Sequence, residues 1–590
     1  MRIYFETNKP DADNYSSYYF ARPVEVRYLR NALELDCFLQ TLENWSRQYY
    51  VACVFSYEFG YLLEDTFATA DRTNFPYAII AAYRDAAIYD HRRNRFIHGD
   101  GADWLVKPGE YDIRNLRLSQ TPQKYVENVG AIQDYIRAGD IYQANYTIAY
   151  TFDFSGDPFG LYHELKRKQA VAYNVFARCD DFSLLSLSPE LFFARRGSRL
   201  LTRPMKGTMA RGRTTREDAE QRAFLHHDEK NRAENVMIVD LVRNDLGRIS
   251  QHGSVGVENL YNVEKYDTLF QMTSTVTSTI RPDVSVRALL QSLFPCGSIT
   301  GAPKIRSMEI LRELERRPRK VYTGALGFFK PGGDAQFNVA IRTLLIQNGQ
   351  GEMGVGGGIV ADSNPLDEYE ECKLKARFLT SQPVDQFQLI ETMLWQNGRI
   401  RYLADHLARL QESARYFNFT CARQRIKTRL LQSTAMLSSG TCKVRLLLSR
   451  DGAVSVTVEA STSPPAELTL CFAEADVDSS DPFLFHKTTN RKLYTRELAR
   501  ARARQCYDAI LSNECGEITQ GCITNLYIQK HGRLYTPPLA CGLLNGVMRR
   551  AMLRSMEIAE KKLHRKDVQT AESLYLSNAL IGFREARLIV

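Results

Sequence analysis

The chain has 590 residues, of which 44% are hydrophobic and 25% are charged, and its formal net charge is +9. The length predicts more than one domain, and the composition is typical of a globular protein. The positive charge is modest and not collected in a tail, so a nucleic-acid partner is not expected.

Targeting and redox signals are weak. No apolar core of signal-peptide length follows Met1, and no apolar run reaches membrane-spanning length. The twelve cysteines occur singly, without CxxC pairs or zinc-type Cys/His spacing. We therefore expect a cytoplasmic protein with no membrane contact, whose cysteines are core or surface thiols.

The first part of the chain mixes strand and helix patterns. An apolar run at 51–58 predicts a buried strand, and apolar residues spaced by three or four predict a helix over 123–138. A strand is predicted at 141–148. The Arg-, Gly- and Asp-rich stretch 94–115 predicts a loop.

Charged residues become mixed with apolar ones along 213–246, which predicts one solvated helix continuing into a buried one. Glu234 falls in the apolar part, and a buried carboxylate needs a partner or a function. An ion pair with Arg232 or Arg243 is the structural alternative.

Lys206 lies between Pro204 and Gly207. Proline fixes φ and glycine permits unusual backbone angles, so the pattern predicts a lysine held rigidly at a loop tip. A solvated surface lysine would be the alternative for this stretch taken alone.

The glycine-rich loop 295–303 precedes a helix predicted from Lys304 to Arg316. Free N–H groups at a helix start, with a lysine in the first turn, favour an anion site. Arg342 stands among apolar residues and requires a carboxylate from the protein or a ligand. The glycines at 354–358 predict a close approach to the backbone.

A polar break at 380–385 predicts a boundary between domains 1–383 and 386–590. Beyond it, Asn397-Gly398 predicts a hairpin turn, followed by a helix at 404–410. Short strand patterns over 508–535 predict a compact antiparallel unit.

The first domain resembles the chorismate-binding enzymes, which include anthranilate, isochorismate and aminodeoxychorismate synthases. The resemblance rests on motifs in the family's order: Ser188-Pro189-Glu190, Pro204-Met205-Lys206-Gly207-Thr208, Asn231 to Asp245, Gly297 to Lys304, Ala340-Ile341-Arg342-Thr343 and Gly356-Gly357-Gly358. It implies an α+β fold in which antiparallel sheets form an anthranilate-synthase-like α/β sandwich with helices.

The resemblance also implies site roles. Glu190 would be the general acid that protonates a departing hydroxyl. Carboxylates at Glu234 and Glu371, with Glu368 close, would bind Mg²⁺. The remaining substrate-binding positions are Gln143, Thr300, Tyr322, Arg342, Gly356, Gly357, Gly358 and Lys375.

Two positions distinguish members of this family. Isochorismate-forming enzymes carry a lysine at the position of Gln143, so glutamine favours ammonia as the nucleophile. Anthranilate synthases carry an alanine at the position of Lys206, and lysine marks the aminodeoxychorismate synthases, where it attacks C2 of the ring. Gln271 occupies the place of a histidine used for pyruvate elimination, which agrees with release of aminodeoxychorismate from this half.

The second domain resembles the branched-chain-aminotransferase-like enzymes that use pyridoxal 5′-phosphate (PLP), in particular aminodeoxychorismate lyase. The matching stretches are Asp405 to Arg409, His486 to Asn490, Asn525-Leu526-Tyr527, Gly542 to Arg549 and Ser577-Asn578-Ala579. The resemblance implies a two-subdomain fold of PLP type IV. Lys487 would be the Schiff-base lysine, and Arg409, Asn578 and the amides of Val547 and Met548 would hold the phosphate.

Gln520 departs from this pattern, because the family has a glutamate that keeps the pyridine nitrogen protonated. A neutral amide stabilises a pyridinium less than a glutamate does. The substitution therefore opposes lyase activity more than it opposes PLP binding.

Together the two resemblances imply an enzyme that makes 4-aminobenzoate for folate synthesis from chorismate and ammonia. No Gly-x-Cys-x-Gly turn of a glutaminase is present, so a separate glutamine amidotransferase subunit is expected to supply ammonia. A dimer through the second domain is one assembly that the resemblance allows. Three alternatives stay open: a PLP aminotransferase in the second domain, a non-catalytic second domain, and synthesis of anthranilate, which Lys206 opposes.

Overall fold

A computed structural model describes residues 1–64, 66–67, 73–99, 101, 107–380, 387–461 and 465–589. The chain forms two compact units. The first comprises Met1–Met209 and Phe224–Pro383, and the second comprises Ala210–Ala223 and Val384–Val590. The predicted boundary at 383–386 lies outside the described residues and stays a prediction.

The first unit contains two large sheets and a set of helices. Its strands are β1 (Arg2–Glu6), β2 (Ser16–Phe20), β3 (Glu25–Leu29), β4 (Tyr50–Phe55), β5 (Ala78–Tyr83), β6 (Ala87–Asp90), β7 (Arg95–His98), β8 (Tyr111–Leu118), β9 (Gln143–Gly156), β10 (Tyr173–Arg178), β11 (Phe182–Ser188), β12 (Leu191–Arg196), β13 (Arg199–Arg203), β14 (Met205–Ala210), β15 (Gly256–Lys265), β16 (Leu269–Thr279), β17 (Gly301–Ala302), β18 (Ala325–Phe329), β19 (Ala335–Val339), β20 (Thr343–Gln347) and β21 (Gln350–Ile359). The helices are α1 (Leu35–Gln48), α2 (Phe59–Leu62), α3 (Pro122–Arg137), α4 (Pro158–Lys168), α5 (Thr215–His227), α6 (Glu229–Gly247), α7 (Val286–Leu293), α8 (Lys304–Glu315), α9 (Pro365–Lys375) and α10 (Arg377–Thr380). The last residue of β14 and residues 215–223 of α5 are assigned to the second unit.

The two sheets of this unit share a core. One sheet has the order β17-β9-β21-β20-β11-β10-β1-β2-β6-β7, and the other has the order β14-β16-β13-β12-β19-β18-β4-β5-β3. Side chains from both sheets form one buried cluster, which includes Ile3, Val54, Leu184 and Phe328. The predicted sandwich of antiparallel sheets is confirmed.

The second unit contains two smaller sheets. Its strands are β22 (Leu389–Gln396), β23 (Arg399–Ile400), β24 (Thr441–Leu448), β25 (Val454–Ala460), β26 (Leu468–Phe472), β27 (Asp508–Ser512), β28 (Ile518–Gly521), β29 (Asn525–Lys530), β30 (Arg533–Thr536), β31 (Ile558–Glu560), β32 (Ser573–Asn578) and β33 (Gly582–Leu588). Its helices are α11 (Leu403–Phe417), α12 (Arg423–Thr434), α13 (Lys492–Ala503), α14 (Val547–Ser555) and α15 (Arg565–Gln569).

The sheets of the second unit define two subdomains. The order β23-β22-β24-β25 packs against α11 and α12, and the order β28-β27-β26-β33-β32-β29-β30-β31 has separate cores. This arrangement agrees with the predicted two-subdomain fold. The strand pairs within 508–535 are antiparallel, as predicted, since β27 pairs with β28 and β29 pairs with β30. They do not form one compact unit, because β26, β33 and β32 lie between β27 and β29 in the sheet, and β26 runs parallel to both β27 and β33.

Two further local predictions need correction. The single helix expected over 213–246 is two helices, because Asp228 leaves helical geometry and caps α6 by accepting a hydrogen bond from the Asn231 amide. The loop expected over 94–115 contains β7 and the start of β8. Within the described residues, no helix is both long and apolar enough to cross a membrane.

Candidate active sites

A cavity of about 380 Å³ opens in the first unit beside β14, β21, α6 and α9. Most of the residues predicted from the sequence line it: Glu190, Lys206, Glu234, Tyr322, Arg342, Gly356, Gly358, Glu368, Glu371 and Lys375. The fold therefore brings together side chains that are up to 185 positions apart in the numbering, as with Glu190 and Lys375.

Lys206 lies on strand β14 and not at a loop tip, which corrects the prediction. Withdrawal from water lowers the pKa of Lys206; Lys375 lowers it further, while Glu234 and Glu190 oppose the shift. Gly207 has φ +88°, and a Cβ there would lie 2.8 Å from Asn231 Oδ1. Glycine thus allows the strand to bend beside the lysine without a clash.

Glu190 follows β11 and is 3% exposed. Burial raises the pKa of this carboxyl to about 7, although a hydrogen bond from Ser298 and the charge of Lys206 oppose the rise. Ser298 Oγ donates to Glu190 Oε1 at 2.7 Å. A carboxyl that is protonated up to neutral pH is suited to act as a general acid.

Gln143, at the start of β9, is 1% exposed, and neither its Nε2 nor its Oε1 has a hydrogen-bond partner within the described chain. A Cβ on Gly358 would collide with Gln143 Nε2 and lie 2.7 Å from Lys206 Nζ. The absence of a side chain at 358 is what allows the amide and the amine to approach one another here. An unsatisfied buried amide indicates a place for a polar ligand.

Arg342 is the second group with unused hydrogen-bonding capacity. Its Nη1 is buried without a partner in the described residues, and burial lowers the pKa of the guanidinium to about 10. The sequence required a carboxylate for this arginine, and an anionic ligand in the cavity would supply one. Tyr322 faces the same cavity as a neutral phenol, since burial raises its pKa to about 12.

Three carboxylates line the α6 and α9 side of the cavity. Burial raises the pKa of Glu234 and of Glu368, and the charge of Glu371 raises both further. Glu371 pairs with Lys375 at 2.7 Å, which lowers the pKa of Glu371. Such mutually repelling oxygen donors fit a hard divalent cation, although no set of three acidic, histidine or cysteine side chains in the described residues is close enough to form a metal site.

Some predicted residues are placed differently. The hydroxyl of Thr300 donates to the carbonyls of Cys296 and Gly297 in its own loop, and Thr300 does not line the cavity. Gly357 packs against Glu368, whose Oε2 would lie 2.7 Å from a Cβ at 357. Lys304 pairs with Asp245 at 2.8 Å, so the anion-binding role expected for this lysine is replaced by a structural ion pair.

Sequence reasoning missed several cavity residues: Asn145, Lys230, Asn231 and Ser298. Ser298 lies within the glycine-rich motif, but nothing in the motif distinguishes its hydroxyl from that of Thr300. The alternative ion pairs for Glu234 are not observed in the described residues, since Arg243 pairs with Asp240 and the guanidinium of Arg232 lies 4.4 Å from the centre of the Tyr261 ring.

In the second unit, Lys487 lies beside a group of arginines. Burial, together with the charges of Arg491 and Arg409, lowers the pKa of its amine to about 7. Its carbonyl accepts a hydrogen bond from the Ile390 amide at 2.9 Å, which ties the lysine to β22. An amine that is substantially unprotonated at neutral pH is able to form a Schiff base.

Arg409 is held by Glu391, which the sequence analysis did not single out. The guanidinium donates from Nε and Nη2 to the two oxygens of Glu391 at 2.9 and 2.7 Å. His406 Nδ1 lies 2.6 Å from Glu391 Oε2. Burial alone would raise the pKa of Glu391, but Arg409 and His406 lower it to about 2.

The other predicted cofactor residues form a second group. Gln520 donates from Nε2 to Tyr494 Oη at 3.0 Å and accepts from the Leu544 amide at 3.1 Å. Val547 and Met548 are the first residues of α14, so their amides lack partners within the helix. Asn578 donates to the Ile523 carbonyl at 3.3 Å. A free helix start, an arginine and an unprotonated lysine fit the phosphate and aldehyde of PLP.

Known proteins resemble both halves. Residues 13–381 match the family of chorismate binding enzymes, and residues 388–589 match the class IV aminotransferases. Aminodeoxychorismate synthase component 1 of Bacillus subtilis is 35% identical over 347 residues, which cover 54% of this chain and 74% of that protein. The component 1 protein of Escherichia coli is 36% identical over 342 residues, which cover 56% of this chain and 76% of that protein.

A solved structure shares the fold of the first unit. Anthranilate synthase component I from Streptococcus pneumoniae superposes with a TM-score of 0.55 at 25% sequence identity, covering 63% of this chain and 93% of that one. The chain is therefore an enzyme that belongs to the family of chorismate binding enzymes and carries a class IV aminotransferase domain in its second half.

Proposed function

We propose that the chain converts chorismate and ammonia to 4-amino-4-deoxychorismate and water, and then converts that intermediate to 4-aminobenzoate and pyruvate. The observation that carries the first step is Lys206, with its lowered pKa, in one cavity with Glu190 and the unsatisfied Nη1 of Arg342. The unsatisfied amide of Gln143 does not line this cavity, but it lies with Lys206 Nζ beside Gly358, which does. The component 1 relatives support the same step.

In the first step the amine of Lys206 attacks C2 of the ring, and the C4 hydroxyl leaves with the proton of Glu190 as water. Ammonia then adds at C4, and the lysine departs from C2. Arg342 binds a substrate carboxylate, and the amide of Gln143 orients the incoming ammonia. Arg342 and Gln143 have buried atoms without partners in the described residues, and Glu190 is a buried carboxyl whose pKa is raised to about 7, so each side chain is suited to its role.

Glu234 and Glu371, with Glu368 beside them, would hold a magnesium ion, which supplies positive charge against a substrate carboxylate. Burial raises the pKa of Glu234 and of Glu368, and the nearby charge of Glu371 raises both further. A divalent cation between these carboxylates would offset both effects, which supports the assignment.

In the second step Lys487 is the attachment point for PLP and returns a proton to the substrate. Bound PLP supplies an electron sink for the elimination of pyruvate. Arg409 and the amides of Val547 and Met548 bind phosphate, while Asn578 adds a further donor. Glu391 keeps the guanidinium of Arg409 in a fixed orientation.

The words "component 1" in the names of the relatives imply a further component. We propose that this partner is a separate glutamine amidotransferase subunit that supplies ammonia. We expect the purified chain to use ammonium salts and not glutamine. Cytoplasmic location and a dimer through the second unit stay predictions.

One assay tests both steps. The full chain is incubated with chorismate, magnesium and an ammonium salt, with and without PLP, and products are identified by mass. We expect 4-aminobenzoate with PLP and accumulation of 4-amino-4-deoxychorismate without it. Anthranilate as the product, or no turnover, would refute the role of Lys206. Accumulation of the intermediate in both samples would restrict the function to the first step.

A PLP aminotransferase is the second candidate for residues 388–589, because this is the activity after which the matching family is named. Transfer of an amino group from an amino acid to a keto acid, abolished in Lys487→Ala, would favour it. Absence of both transfer and elimination would favour a non-catalytic unit.

A further inference from the structure

Residues 210–223 lie in the first half of the sequence but belong to the second unit. They begin four positions after Lys206 and include the first part of α5. Their contacts within the second unit converge on the end of α11. The contacts are specific hydrogen bonds, as described next.

Arg211 and Gly212 hold Tyr416 from two sides. Arg211 Nη2 donates to the Tyr416 carbonyl at 2.9 Å, and its guanidinium lies 4.4 Å from the centre of the Tyr416 ring. Tyr416 Oη donates to the Gly212 carbonyl at 2.7 Å. Arg211 itself forms a buried ion pair with Asp218 of the same segment. The tyrosine is thereby fixed at its backbone, ring and hydroxyl.

Gly212 cannot carry a side chain without displacing this contact. A Cβ at position 212 would collide with the backbone of Glu217 and Asp218. The turn at Gly212 is therefore what brings its carbonyl to Tyr416. Arg213 adds a second attachment, since its Nη1 donates to the Ser479 carbonyl at 3.2 Å.

Tyr416 in turn packs on the residue before Lys487. The rings of Tyr416 and His486 are 4.3 Å apart between centres, and His486 Nδ1 lies 3.0 Å from Ser413 Oγ of α11. His486 is buried, with 6% of its surface exposed. The residue that precedes Lys487 is thus packed against Tyr416 through its side chain.

We propose that residues 210–223 are a positioning segment for Lys487: they fix Tyr416, and through it His486 and the Lys487 backbone. The inference rests on the proposed role of Lys487 for its catalytic meaning. It implies that residues 384–590 alone lack part of the support of their own site.

The test compares full-length variants. Tyr416→Phe removes the hydroxyl that bonds Gly212 and keeps the ring, while Gly212→Ala disturbs the turn itself. Arg216→Ala is the matched control, because Arg216 lies in the same segment with an 86% exposed side chain. Thermal unfolding identifies any variant that fails to fold.

The first readout is the pH titration of the absorbance of the Lys487–PLP imine, together with the PLP dissociation constant. We expect Tyr416→Phe and Gly212→Ala to weaken PLP binding by about threefold to tenfold and to move the midpoint of the titration, because one hydrogen bond contributes about that factor. Arg216→Ala is expected to match the unchanged chain. If the Tyr416→Phe and Gly212→Ala variants are folded but keep the titration midpoint and the PLP affinity of the unchanged chain, the proposal is overturned.

The second readout does not need PLP. Amide hydrogen exchange over residues 484–490 is measured in the cofactor-free full chain, where Gly212→Ala should accelerate exchange. If the unchanged chain shows no imine band but Gly212→Ala accelerates this exchange, the PLP role fails while the positioning role stands. Unaltered exchange in Gly212→Ala would overturn the positioning role whether or not PLP binds.

Discussion

The two candidate sites differ in whether their buried arginine and glutamine side chains have hydrogen-bond partners within the chain. In the first unit, Arg342 Nη1 and both polar atoms of Gln143 are buried without partners in the described part of the chain. In the second, Arg409 is held by two hydrogen bonds to Glu391, and Gln520 is bonded at both ends of its amide. The arginine and the amide of the first site thus keep hydrogen-bonding atoms available for a ligand, whereas the arginine and the amide of the second site are already bonded within the chain.

The largest expected effect comes from Lys206→Ala. Removing the nucleophile should lower the rate of chorismate amination by on the order of 10³-fold or more. Formation of 4-amino-4-deoxychorismate is measured by mass spectrometry. The control is Lys124→Ala, because the side chain of Lys124 on α3 is exposed. Retention of a tenth of the rate in Lys206→Ala would contradict covalent participation of the lysine.

Arg409→Ala should chiefly damage stability, because it leaves the buried charge of Glu391 without its main partner. The free energy of unfolding in urea is expected to fall by about 3 to 5 kcal/mol. Arg423→Ala, on the exposed face of α12, is the control. A drop no larger than that of the control would show that Glu391 is satisfied by His406 alone.

Arg342→Ala should weaken substrate binding without lowering the stability of the protein, in contrast to Arg409→Ala. It removes a cation whose burial is uncompensated, so the free energy of unfolding should stay the same or rise. The KM for chorismate should increase by about tenfold to hundredfold, because a charge-assisted contact is lost. A lower free energy of unfolding with an unchanged KM would contradict this prediction, because Arg342 would then support the fold, as we expect of Arg409, and not bind the substrate.

Ser298→Ala tests the protonation of Glu190. The hydrogen bond from Ser298 lowers the pKa of this carboxyl, so its removal raises the pKa above about 7. A general acid works while protonated, so kcat should fall as pH rises through this pKa, and the fall should move to higher pH by up to about one unit in the variant. A pH profile that does not move would mean that Glu190 is not the acid.

The smallest effect is expected for Gln520→Glu. A carboxylate at this position stabilises a protonated pyridine nitrogen better than an amide. Tyr494 Oη, which accepts from Gln520 Nε2 in the structure, carries an O–H that can donate to the carboxylate instead. Pyruvate elimination should accelerate by about twofold to tenfold, measured with isolated 4-amino-4-deoxychorismate. No acceleration would indicate that the electron sink does not limit this step.

The sequence predicted elements whose patterns are local and strong. The helix at 123–138, the strand at 51–58 and the hairpin at Asn397-Gly398 correspond to α3, β4 and the turn between β22 and β23. The break at Asp228 was missed because the charge pattern runs on without interruption, and only the cap geometry separates α5 from α6. Parallel pairing of β26 with β27 was not predictable, since strand direction depends on distant chain segments.

The candidate sites were predictable where a residue is needed for its own chemistry, as with Lys206 and Arg342. Residues that act through a neighbour were not. Ser298 matters for its contact with Glu190, and Glu391 for its contacts with Arg409 and His406. Such partners are set by packing, and an isolated serine or glutamate carries no signal of them in a single sequence.

Residues 210–223 also limit how the gene for this chain can be divided or recombined. A gene fission at the predicted boundary would leave Gly212 and Arg211 in the synthase product, while Tyr416 and Lys487 would pass to the other polypeptide. Neither product would then encode the whole second unit. If either half is exchanged with that of a stand-alone relative, residues 210–223 must be transferred together with the second half, or their contacts must be replaced. This segment therefore opposes separation of the two halves into independent proteins.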